Sequence, residues 1–135
     1  MLKKSSSLLI FSLALFAISS AAYAGYSTVT STASLTFQNN VSYYKVLGKG
    51  TAKASGTGKG QYIHITATLE KNGDIEDMDI DDTTSSTFSL NVSSGKEGDP
   101  ATWYVHSDSL LTSGPNLTGY VDTHSDEVTK KHPGI

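Results

Sequence analysis

The chain has 135 residues, with ten lysines, no arginine, thirteen acids and a formal charge of −3 at neutral pH. It has no cysteine, which removes disulfides, thiol catalysis and cysteine-based zinc sites together. An arginine-free, mildly acidic chain also argues against a nucleic-acid partner, because neutralising phosphates dominates that affinity.

Lys3 and Lys4 precede a run from Leu8 to Ala17 that is apolar except for Ser12, and Ala22-Tyr23-Ala24 follows. A positive start, an apolar stretch and small residues in that order mark an export signal, with cleavage predicted between Ala24 and Gly25. The apolar run is about half of the ~20 residues that a membrane span needs, and no second run exists, so no transmembrane span is expected. The lysine-led signal has a bacterial look. The expected location is outside the cell, or the periplasm of a Gram-negative host. Eight lysines then face thirteen acids in residues 25–135, leaving a charge of −5. The predicted organisation is a signal at 1–24, one domain at 25–128 and a loose tail at 129–135.

Period-two alternation runs through that domain. From Thr28 to Phe37, Val29, Ala33, Leu35 and Phe37 alternate with Thr28, Thr30, Thr32, Ser34 and Thr36, the pattern of a strand with one wet face. Gln38-Asn39-Asn40 reads as a turn. A second strand region runs from Val41 to about Thr57. Its even positions from Gly48 to Gly58 are all Gly or Ala, and Lys45, Lys49, Lys53 and Lys59 lie among the odd ones. Glycines in a strand mark a bulge or a close backbone approach, and lysines suit an exposed edge. The expectation is a bulged edge strand. No phosphate-loop spacing accompanies the glycines.

Residues 61–82 form the clearest hairpin. Ile63, Ile65, Ala67 and Leu69 alternate with Tyr62, His64, Thr66, Thr68 and Glu70, and Asn72-Gly73 is a preferred two-residue turn. An unbroken register would set Lys71 against Asp74, Leu69 against Glu76, Ala67 against Met78 and Ile65 against Ile80. Asp77, Asp79 and Asp81 would then line the wet face beside His64. Further strands are predicted at Thr84–Val92, Ala101–Asp108 and Leu117–Ser125. About seven short strands with turn signals between them predict an all-β antiparallel two-sheet sandwich, immunoglobulin-like in general architecture.

Asp77, Asp79 and Asp81 are the metal candidate. Calcium takes six to eight oxygen ligands. Residues two apart on a strand lie ~6.6 Å apart, so at most two of these carboxylates reach one ion. Solvated charge stripes, with Lys53 set across from Thr66, are the plainer reading, so no cofactor is expected beyond a possible calcium ion. His106-Ser107-Asp108 and His124-Ser125-Asp126 repeat a tripeptide, and hairpin pairing would bring His106 near His124 as a transition-metal pair. Neighbours on a strand point to opposite faces, so His106 cannot activate Ser107. With no credible catalytic set, the chain reads as non-enzymatic. Tyr62, Tyr104 and Tyr120, with His64, His106 and His124, are the candidate surface for a protein partner or glycan at the cell exterior.

The expected function is action through surface contacts, as an effector, a toxin-like protein or a surface-associated protein. The alternatives are a carbohydrate-binding module using sheet-face tyrosines, or an oligomer assembled through the N-terminal strand.

Overall fold

The computed structural model describes residues 26–56 and 61–135. The export signal and its cleavage point at Ala24–Gly25 lie outside these residues, as do Gly58 and Lys59 of the lysine-bearing segment. Seven strands follow in order: β1 (Tyr26–Asn39), β2 (Tyr44–Gly56), β3 (Tyr62–Lys71), β4 (Asp74–Thr83), β5 (Thr87–Ser93), β6 (Ala101–Thr112) and β7 (Tyr120–His132). They form two antiparallel sheets, ordered β1-β2-β5 and β4-β3-β6-β7. No helix among the described residues is long and apolar enough to cross a membrane.

The alternating apolar residues fill the space between the sheets. Val29, Leu35, Val46, Ile63, Ile65, Leu69, Val92, Trp103, Val105 and Leu111 are all buried. Trp103 is fully enclosed, and its indole N–H donates to the Tyr44 hydroxyl at 3.2 Å. That hydroxyl donates in turn to Asp99 O at 2.7 Å. One end of the core is thus built from aromatic groups whose polar atoms all have partners.

The bare face of β2 has a steric cause. A Cβ on Gly48 would fall 2.6 Å from Val105 Cγ2, and one on Gly50 would fall 2.7 Å from Ser107 Oγ. The glycines allow the sheets to approach closely, as expected. The edge position does not hold: β2 is the central strand of its sheet, paired with β1 and β5. Lys53 therefore lies opposite Thr30 and Thr87 rather than Thr66.

The β3–β4 hairpin departs from the unbroken register. Asn72 and Gly73 take the positive φ values, 50° and 91°, that the turn requires, and Lys71 does face Asp74. A bulge then leaves Glu76 unpaired, so that Glu70 faces Ile75, Leu69 faces Asp77, Ala67 faces Asp79 and Ile65 faces Asp81. Without the bulge Glu76 would point between the sheets, where an unpaired carboxylate is costly. A one-residue slip exchanges the two faces of a strand. Met78, Ile80 and Asp82 therefore share the outer face with His64, and Asp77, Asp79 and Asp81 point to the inner side. They remain wet there because β4 is an edge strand of a four-stranded sheet facing one of three.

The C-terminal segment is also firmer than expected. In place of a loose tail from residue 129, β7 continues to His132. The His132 ring stacks on Tyr44, centroids 3.6 Å apart, and its Nε2 lies 2.8 Å from Asn39 Oδ1.

Candidate functional site

The outer face of the four-stranded sheet collects most of the candidate surface. Alternation along β3 puts Tyr62, His64, Thr66, Thr68 and Glu70 on that face, and along β6 it adds Tyr104, His106, Asp108 and Thr112. Cross-strand pairing runs from Tyr62 to Thr112 and on to Tyr120. Tyr62 and Tyr120 thus stand about 10 Å apart, two strand spacings, at one end of the face. Tyr104 pairs with Glu70 at the other end.

β3 lies between two neighbours, and His64, Thr66, Thr68 and Glu70 are all buried although they face outward. Hydrogen bonds hold this polar floor in place. The His64 Nδ1 lies 2.6 Å from Asp82 Oδ1, and its Nε2 lies 2.8 Å from Thr112 Oγ1. The Thr112 hydroxyl donates to Gly114 O at 2.7 Å, which leaves its oxygen to accept from Nε2. One strand over, His106 contacts Glu70 through Nε2 and Glu127 through Nδ1, the latter at 3.1 Å. Tyr62 and Tyr104 lie nearly parallel to His64 and His106, at interplanar angles of 18° and 11°. Thr66 Oγ1, in the middle of the floor, is a buried hydroxyl with no hydrogen-bond partner.

Thr112, His64 and Asp82 stand in the hydroxyl–imidazole–carboxylate order of an activated nucleophile. Two details set them apart from one. Thr112 is fully buried, and its proton points to Gly114 O rather than to the ring. Beside this group a hollow of about 380 Å³ opens between Tyr62, Asp82, Thr84, Pro115 and Asn116.

The remaining candidates lie elsewhere. His106 and His124 do not meet, because His124 belongs to the opposite face of β7. Its Nδ1 accepts from the backbone N–H of Ser31 at 2.9 Å. Asp77, Asp79 and Asp81 do not stand beside His64 either. Each accepts the N–H of the residue that follows it, Met78, Ile80 and Asp82, at 2.8–3.0 Å. Asp77 also accepts Ser93 N–H from β5 at 2.8 Å. These N–H groups point away from β3, so the aspartates cap the free edge of their own strand. No group of three or more His, Asp or Glu side chains among the described residues is placed to hold a metal.

Glu70, Asp82, Thr112 and Glu127 were not among the candidates. Their partners are 18 to 48 positions away in sequence, and only the strand order brings them together. No protein-family model, curated protein or solved structure matches the chain.

Proposed function

We propose that the protein is a non-enzymatic recognition module that acts outside the cell through the outer face of its four-stranded sheet. One observation carries this reading: five of the six candidate side chains share that face, with Tyr62, Tyr104, Tyr120 and His106 set around a buried polar floor to which His64 belongs. Two hydrogen-bonded groups, one around His64 and one around His106, fix the side chains beside them, and fixed side chains lower the ordering cost of binding. The strand order β1-β2-β5 over β4-β3-β6-β7 supports an immunoglobulin-like reading of the scaffold.

The hollow between Tyr62 and Asn116 favours a saccharide over a protein ligand. It joins an aromatic wall to a carboxylate, an amide and a threonine hydroxyl, the mixture that suits a ring with one apolar face and several hydroxyls. Among the described residues, Ile80 is the only large hydrophobic one strongly exposed on this face, which gives little of the apolar centre that protein interfaces use. Screening the protein on a glycan array tests the reading. A hit abolished by Tyr62→Ala or Asn116→Ala, and kept by Tyr43→Ala, is the expected result. An array without hits, or hits indifferent to both substitutions, would overturn the saccharide reading.

A further inference from the structure

The outer edge of β1 is closed by side chains of β7. Val29 N–H donates to Asp122 Oδ2 at 2.9 Å, Ser31 N–H to His124 Nδ1 at 2.9 Å and Ala33 N–H to Asp126 Oδ2 at 2.8 Å. Lys130 Nζ donates to Leu35 O at 2.8 Å. The two strands run parallel, and alternate side chains of β7 occupy the edge groups that a further strand would pair with. We propose that this seam is an acid-released latch whose trigger is His124.

The argument rests on what each rung can do. A backbone N–H only donates, so Ser31 requires the lone pair on Nδ1, and the ring's proton must sit on Nε2. A second proton goes onto Nδ1 and turns the contact into donor against donor. The carboxylates of Asp122 and Asp126 go on accepting under those conditions, so the middle rung fails first.

The groups around His124 favour the exchange. On β7, Asp122 and Asp126 flank it two residues away on the same face. From β6, Ser109 lies opposite it, next to the Ser31–Ser107–Ser109 hydroxyl cluster. β1 presents only Ser31 and its apolar neighbours. The ionic neighbours are thus two carboxylates, and each commits only Oδ2 to the edge. An imidazolium therefore has a nearby carboxylate oxygen to turn to, and it leaves Ser31 N–H unpaired. His124 is exposed, so the proton reaches it directly. An unpaired N–H on an edge strand is a point of attachment for another strand.

Amide hydrogen exchange read by NMR tests the latch. Between about pH 7.5 and pH 5, the range in which histidines ordinarily change charge, Ser31 protection should fall roughly ten-fold after correction for intrinsic rates, and Val105 should hold. His124→Asn places an amide oxygen near the position of Nδ1 without a titrating group, and should keep Ser31 protected at both pH values. Constant protection in the unsubstituted protein, or equal loss in His124→Asn, would overturn the proposal. Should that variant not fold, the ring nitrogen shifts of the unsubstituted protein decide. The proton is expected on Nε2 at the higher pH, and finding it on Nδ1 would rule the latch out.

Discussion

Gly50 and Ser107 meet across the two sheets so closely that a Cβ on the glycine would lie 2.7 Å from the serine hydroxyl and 3.1 Å from its Cβ. Ser107 is fully buried and its hydroxyl is 2.6 Å from that of Ser31, so it has no room to retreat. Gly50→Ala should cost about 1–3 kcal/mol through overpacking. Urea unfolding measures it. Ser107→Gly in the same background should recover part of the loss, and an unchanged midpoint for Gly50→Ala would contradict the close approach.

Glu70 is 7% exposed and faces His106. His106→Ala leaves that carboxylate buried beside Thr68 with its ring partner gone, at a cost of about 1–3 kcal/mol. Glu70→Gln should lose less, because an amide is cheaper to bury than a carboxylate. A double-mutant cycle should give a coupling of about 1 kcal/mol or more, and strictly additive losses would show that the pair is not coupled.

Lys71 predicts the behaviour at alkaline pH. Its hydrogen bond to Glu97, 2.5 Å long, raises its pKa above the ordinary 10.5, outweighing the opposing effect of burial, with the charge of Glu97 adding to the rise. A folded-state value above the unfolded one contributes stability that is complete below about 10.5 and is lost as the pH climbs through the raised value. Lys71→Met should therefore lower stability at neutral pH by less than about 1 kcal/mol, since the pair is partly solvated. It should also flatten the decline above pH 10.5. Melting temperatures across that range provide the check.

The aspartates of β4 predict a change in association. Replacing Asp77, Asp79 and Asp81 together by alanine bares the N–H groups of Met78, Ile80 and Asp82. Sedimentation velocity should then show concentration-dependent oligomers, as expected of an uncapped edge. The triple asparagine variant keeps an acceptor at each position and should stay monomeric. Equal association in both variants would place the effect in charge rather than in capping.

Much of the fold was legible because alternation is local. The hydroxyl-rich pattern of β1, the Asn72-Gly73 turn and the glycines of β2 each act through neighbours in sequence or through simple size. The site was less legible. One unpaired residue, Glu76, exchanged the faces of β4 and moved three aspartates away from His64, and no propensity marks where a bulge falls. The His106–Glu70 contact depends on β6 lying beside β3, a pairing of distant segments. The tail was misjudged for a related reason: Lys130-Lys131-His132 looks solvated, yet Lys130 reaches Leu35 O and His132 stacks on Tyr44. The Asp122-x-His124-x-Asp126 alternation lies in the sequence, although only its His124-Ser125-Asp126 part stands out there. Its meaning needed the unpaired edge of β1 beside it.

The seam between β1 and β7 also decides how the domain carries load. Because these strands run parallel, Tyr26 and His132 sit at opposite ends of the sandwich. A pull on the two ends slides one strand along the other, so the rungs from Val29–Asp122 to Asn39–His132 strain together. They are not peeled off one at a time, and a tether joined through both ends would resist extension as a clamp.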